Sequence, residues 1–309
     1  MMRHLRTAGM LAAFGLGFLC PWAAALNWLI RWLIVAMMFF VFLQVRVSWR
    51  ALRPAHLLIL LANAAIGVGS WLLLKPFAGN ELAQAAFFTG ITPTATAAAV
   101  IVGLLGGRVD FAVSAFLATN FGMALLFPFL IPLVIGNPAP GVFWQVVDSL
   151  LVVIGIPLAA AVPVRLFYRK AAELPKKCKD VTFFLWVGAI FLIIANASHF
   201  LRGQSHLSGR VLLDIAAISL GICVFNFWFG RFLGGKKFRR ESSQVLGQKN
   251  TTLTIYLALA YANPLVALGP TFYVLWHNAW NTCQLHLYGR RRRLREVKLK
   301  MANERKANR

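Results

Sequence analysis

The chain alternates long apolar runs with short polar interruptions, at a spacing that membrane crossing explains. About 20 apolar residues are needed to cross a hydrocarbon layer as a helix. Ten runs meet that length, at 7–24, 26–46, 54–75, 81–106, 109–136, 141–165, 181–200, 210–230, 242–264 and 270–289. They predict an all-α polytopic membrane protein with ten transmembrane helices. Two runs are themselves interrupted. The fourth carries Gly90-Ile91-Thr92-Pro93-Thr94, where Pro93 lacks an N–H and disfavours helix at the residue before it. The ninth carries Gly247-Gln248-Lys249-Asn250-Thr251-Thr252. Unwound backbone survives in a bilayer only where protein buries it or a polar cavity solvates it. Two such breaks point to a midplane substrate site, at which half-helices starting near Thr94 and Thr252 would aim their positive ends and favour an anion. A simple proline or glycine kink relieved by threonine hydroxyls is the plainer alternative.

Internal symmetry supports the pairing of the breaks. Thr94-Ala95-Thr96 is followed by Asn120, and Thr252-Leu253-Thr254 by Asn278, each after 26 residues (120 − 94 and 278 − 252). The copies are offset by 158 residues (252 − 94), about half the chain. The expected organisation is a five-helix repeat over 1–138, an inverted five-helix repeat over 139–289 and a basic tail over 290–309, with discontinuous fourth and ninth helices.

Composition strengthens the membrane reading. Hydrophobic residues make up 59% of the 309 and charged residues 13%, with a mean hydropathy of +0.69; a soluble domain carries nearer about 25% charged residues. The net charge of +23 would suit a nucleic-acid binder, but the 32 basic residues lie almost wholly between the apolar runs. Assigned to alternate sides, 27 fall on one side and 3 (Lys75, Arg202, Arg210) on the other, leaving Arg31 and Lys249 within runs. The positive-inside rule then predicts cytoplasmic N- and C-termini in an inner (plasma) membrane, and no nucleic-acid partner. The tail from Arg290 reads as a solvated stop-transfer run, and Met1 to Leu26 as a retained first helix that imitates a secretory signal. Trp22, Trp28, Trp49, Trp71 and Trp144 fall near run ends, as interfacial anchors do.

The residues that carry chemistry are few. The nine acids form no DxxD or ExxH pair, the cysteines Cys20, Cys178, Cys223 and Cys283 form no CxxC, and the six histidines are scattered. No catalytic group, metal site or cofactor is expected, and an enzyme is not. Lys249 stands out, because an ammonium within a span costs a few kcal/mol unless it meets water or a partner. It is read either as a ligand-facing charge or as a residue that snorkels to the cytoplasmic end; Asp148 and Asp214 are candidate partners. The expected binding set is Asn63, Thr92, Thr94, Thr96, Asn120, Gln248, Lys249, Asn250, Thr251, Thr252 and Asn278, hydroxyls and amides that pair with unwound backbone and a carboxylate without adding fixed charge.

Three segments, Thr89-Gly90-Ile91-Thr92-Pro93-Thr94-Ala95-Thr96, Gly247-Gln248-Lys249-Asn250-Thr251-Thr252-Leu253 and Leu275-Trp276-His277-Asn278, together with Met38 to Arg53, resemble the bile acid:sodium symporter family of the bile/arsenite/riboflavin transporter superfamily. The resemblance covers nearly the whole chain. It implies two inverted five-helix repeats, a panel and a core domain, discontinuous fourth and ninth helices crossing at the midplane where they unwind, and secondary transport of a small organic anion by alternating access. Asn63 resembles the family's third-helix glutamine that reaches the second sodium. The chain departs from the sodium-coupled members at Val245, where they carry glutamate, at Lys249, where they carry glutamine, and at Ala97, where they carry asparagine. Thr96 takes the place of the family's serine. Sodium needs several hard oxygen ligands and a lysine repels it, so the departures weigh against sodium and leave a proton as the other candidate coupling ion. Substrate, transport direction and oligomeric state are not read from the sequence. A channel or sensor of the same fold, or a membrane-embedded enzyme, is the alternative to a carrier.

Overall fold

The computed structural model describes residues 2–44, 52–137, 139–168, 170–174, 178–203 and 209–307. Among them the regular elements are helices, joined at one point by an isolated antiparallel β-bridge. The helices are α1 (Met2–Leu19), α2 (Trp28–Gln44), α3 (Pro54–Gly90), α4 (Ala97–Leu104), α5 (Val109–Ile135), α6 (Pro140–Leu150), α7 (Ile156–Phe167), α8 (Lys179–Gly203), α9 (Gly209–Leu233), α10 (Arg239–Gly247), α11 (Thr251–Tyr261) and α12 (Pro264–Ala307). A 3₁₀ turn (Pro21–Leu26) leads into α2, and a π turn (Leu151–Gly155) joins α6 to α7.

Among the described residues, five stretches are long and apolar enough to cross a membrane: Pro54–Gly90, Val109–Ile135, Pro140–Phe167, Val181–Gly203 and Gly209–Leu233. Their outward faces carry large apolar side chains such as Leu73, Leu125, Phe129, Leu166 and Leu213. Only hydrocarbon tolerates such a surface over so many elements. The protein is an all-α membrane protein.

The runs expected as a third and a fourth span are the two limbs of α3, which meet at a sharp non-helical bend. A straight helix of 37 residues would be about 55 Å long, far more than a bilayer core. The chain is bent instead at Gly79, whose φ of 81° and ψ of 177° no other residue adopts easily. The limb after Gly79 folds back on the limb before it. Gly67 lies so close to Ile91 that an added Cβ would sit 2.6 Å from the Ile91 Cβ. The fourth run then stops at Gly90, resumes at Ala97, and ends at Leu104.

The helices sort into two packed groups. α1, α2, α7 and α8 pack on one another, and α3, α4, α5, α9, α10, α11 and α12 pack on one another, with α8 against α12 and α5 against α6 among the contacts that join them. At one end of the second group α10 is tied to the α4–α5 turn. The Arg108 amide donates to Glu241 Oε1 at 2.9 Å, and Arg240 donates to the Leu105 carbonyl.

One sequence expectation changes here. Trp71 is not an interfacial anchor: it is 7% exposed and packs in the main apolar cluster, with the Lys75 ammonium 4.8 Å from its ring centre. Trp22, Trp28 and Trp144 are exposed, and Trp49 lies outside the described residues. The basic residues from Arg290 continue α12 as helix to Ala307.

Candidate functional site

The site is built where the two interrupted helices meet. Pro93 has no N–H to give to a helix, so the chain leaves α3 at Gly90 and runs irregularly to Ala97. The second interruption is shorter, from Gln248 to Asn250 between α10 and α11. The breaks lie against each other as an antiparallel bridge between Thr94 and Lys249. The Ala95 amide donates to the Gln248 carbonyl at 2.8 Å, and the Asn250 amide donates to the Pro93 carbonyl at 2.7 Å. Backbone groups that the helices cannot satisfy are thereby satisfied by the opposite break, which answers the demand that a bilayer makes of unwound chain.

Side chains complete the pairing. The Thr94 amide donates to Thr119 Oγ1 at 3.1 Å, and Thr94 Oγ1 donates to the Val245 carbonyl at 2.9 Å. Asn120 Nδ2 donates to the Thr94 and Phe116 carbonyls, both at 2.8 Å, while its Oδ1 accepts from Asn250 Nδ2 at 3.0 Å. The Thr92 and Thr254 hydroxyls share a hydrogen bond of 2.8 Å. On the α10 side Tyr273 donates from its hydroxyl to the Gly247 carbonyl at 2.9 Å, and Asn226 Nδ2 donates to that hydroxyl at 3.0 Å.

Lys249 lies inside this network. Its side chain is 2% exposed, so it does not snorkel. The ammonium donates to Asn63 Oδ1 and, at 3.1 Å, to the carbonyl of Gly90, the last residue of α3. A cation on the final carbonyl of a helix sits at the negative end of its dipole. Neither Asp148 on α6 nor Asp214 on α9 reaches it, and no carboxylate among the described residues pairs with it. Two buried amide donors of the crossing have no hydrogen-bond partner: Asn63 Nδ2, on the amide that accepts from Lys249, and Gln248 Nε2 of the second break. The crossing therefore holds one cation and two free donors in a buried setting, a set that accepts negative charge.

Of the residues expected at the site, Asn63, Thr92, Thr94, Asn120, Gln248, Lys249 and Asn250 are brought together in or beside this network. Thr251 and Thr252 open α11 next to it, and Thr254 donates to the Thr251 carbonyl at 3.2 Å. Thr96 is half-buried at the start of α4 and makes no capping bond. Asn278 does not join the cluster: its Nδ2 donates to Val274 in its own helix at 2.7 Å. The half-helices begin at Ala97 and Thr251, slightly off the expected Thr94 and Thr252.

Sequence reasoning missed Thr119, Tyr273, Asn226 and Thr254. The signal for Tyr273 was within reach. The separation of 26 residues that links Asn120 to the Thr94 carbonyl also links Tyr273 to the Gly247 carbonyl. The TxT copies hid it by directing attention to Asn278. Among the described residues no group of three or more His, Cys, Asp or Glu gathers to hold a metal, and all four cysteines are free thiols. No family model matches this chain, and no curated protein matches it.

Proposed function

We propose that the protein is a secondary transporter of a small organic anion that works by alternating access, with the crossing of its two interrupted helices as the binding site. The observation that carries this reading is Lys249, an ammonium held inside the membrane by Asn63 and the Gly90 carbonyl without a carboxylate partner among the described residues. An uncompensated charge at that depth is expensive and marks a pathway or ligand. A bound carboxylate would neutralise it and take hydrogen bonds from Asn63 Nδ2 and Gln248 Nε2. The sorting of the helices into two packed groups supports a rocking motion of one group against the other, and the paired breaks support an inverted-repeat carrier of ten spans. The ammonium already occupies the oxygen of Asn63, the position that resembles the family's sodium-reaching glutamine, and a lysine there repels a second cation, which supports transport without sodium.

Reconstitution into proteoliposomes tests the proposal. Under an inward proton gradient the wild type is expected to concentrate one or more labelled small carboxylates saturably, equally with and without a sodium gradient. Lys249→Ala is expected to reduce uptake to the empty-vesicle background while the folded protein is recovered. Unaltered uptake and ion dependence in that variant would defeat the assignment, and non-saturable, non-concentrative flux would make the protein a channel.

A further inference from the structure

Away from the crossing, a cavity of about 480 Å³ opens between α1, α8, α9 and α12. Its walls include Phe18 and Leu19 of α1, Ala197 and Leu201 of α8, Leu212 of α9 and Phe272 of α12. The volume lies in the range of ligand sites, about 300–1,000 Å³. The one hydroxyl in the wall, Ser198 Oγ, donates to the Phe18 carbonyl at 2.7 Å and leaves the interior apolar. Phe18 and Leu19 nevertheless remain largely exposed at the mouth.

The rim carries a charge. Arg202, one turn beyond Ser198 on α8, donates from Nη2 to the Phe18 carbonyl at 3.2 Å and from Nε to Ser198 Oγ at 3.4 Å. These contacts hold the guanidinium against the opening, and no carboxylate among the described residues pairs with it. A guanidinium has five N–H donors in a planar fork that matches phosphate oxygens, so donors remain for a ligand. An apolar cavity with a fixed, unpaired guanidinium at its mouth fits an amphipathic anion, its chain inside and its head on the arginine. The neighbouring bilayer supplies such molecules at this depth, since α8 and α9 are membrane-crossing stretches.

We propose that this cavity binds one acyl chain of an anionic membrane phospholipid whose phosphate is held by Arg202. The site is separate from the crossing and bridges the two packed groups, because α1 and α8 belong to one and α9 and α12 to the other. A lipid seated there would act as a removable wedge between them. Gly15 also lines the cavity, and a Cβ added to it meets no atom within 4 Å, so Gly15→Phe fills the space without displacing backbone.

The experiment compares wild type, Gly15→Phe and Arg202→Gln. Co-purifying lipid is quantified by mass spectrometry, and thermal unfolding is followed in phosphatidylcholine vesicles with and without phosphatidylglycerol. Wild type is expected to retain anionic phospholipid and to unfold at a higher temperature when phosphatidylglycerol is present, as linkage requires. Gly15→Phe should retain about tenfold less lipid, and Arg202→Gln should retain lipid but lose its preference for the anionic headgroup by about tenfold, the size of one charge-assisted hydrogen bond. Equal retention in wild type and Gly15→Phe, or no headgroup preference in wild type, would overturn the proposal. Arg202 is an exposed side chain, so its substitution leaves the fold intact and decides the question even if Gly15→Phe does not fold. Lipid retention is read without transport, so its failure is distinct from failure of the carrier reading.

Discussion

The two breaks solve one backbone problem with different residues. In the first, Pro93 forces the helix to end, and the freed groups of Thr94 are met from outside by Thr119 and Asn120 of α5. No charged residue takes part in its sequence, Ile91 to Thr96. In the second, a polar run takes the place of proline, and it reaches outward. Lys249 crosses to Asn63 and Gly90 of α3, and Asn250 crosses to Asn120 of α5. A break made by a ring that lacks a donor must import its partners, whereas a break made of polar side chains can export them. The first break takes its support from α5 and reaches out only through the neutral hydroxyls of Thr92 and Thr94, whereas the second grips α3 with a charge. Charge, and with it selectivity for a ligand, resides in the second.

That asymmetry can be broken by substitution, and unfolding of the purified protein in nanodiscs measures each result. Asn120→Leu should have the largest effect on stability, about 3 kcal/mol, because it strands the Thr94 carbonyl and the Asn250 amide of both breaks in the interior. A loss no larger than that of an exposed substitution would show that the first break stands without support. Gly247→Ala should cost about 2 kcal/mol through overpacking, since its Cβ would lie 2.4 Å from the Phe227 ring. Tyr273→Phe removes the donor to the Gly247 carbonyl and the acceptor for Asn226 Nδ2, and should cost about 1 kcal/mol, two hydrogen bonds between membrane helices at their average size. Thr96→Ala should stay within about 0.5 kcal/mol, because its hydroxyl makes no capping bond. An effect on Thr96→Ala transport with unchanged stability would place that hydroxyl at the ligand.

Much of the architecture could be read from the residue pattern. The apolar runs overlap the helices, although the last helix extends past its run to Ala307, and Pro93 and the run from Gly247 to Thr252 located both interruptions. The gap between the third and fourth runs falls on the hairpin at Gly79, but hydropathy records where polar residues fall and not which dihedral angles a glycine takes up, so the sharpness of the bend is not legible in it. Asn278 was paired with Asn120 by spacing alone. On a helix with 3.6 residues per turn, Asn278 points roughly 140° away from Tyr273, the side chain that does reach the crossing. Equal separations in sequence are equal positions in space only if both helices present the same face, and here they do not.

What the chain determines locally is that it must cross a membrane and that two of its crossings must come apart. Those outcomes follow from the transfer cost of apolar runs and from the missing donor of a proline, which need no distant neighbour. Which groups then meet is a matter of packing. Lys249 is separated by 186 residues from Asn63 and by 159 from Gly90, yet its ammonium lies on both. Its two oxygens come from the two limbs of α3, which approach closely because Gly67 and Gly90 carry no side chain where the opposite backbone lies, and Gly247 likewise leaves room for the Phe227 ring behind the second break. The charge was visible in the sequence, and the oxygens that hold it became visible only once the helices were packed.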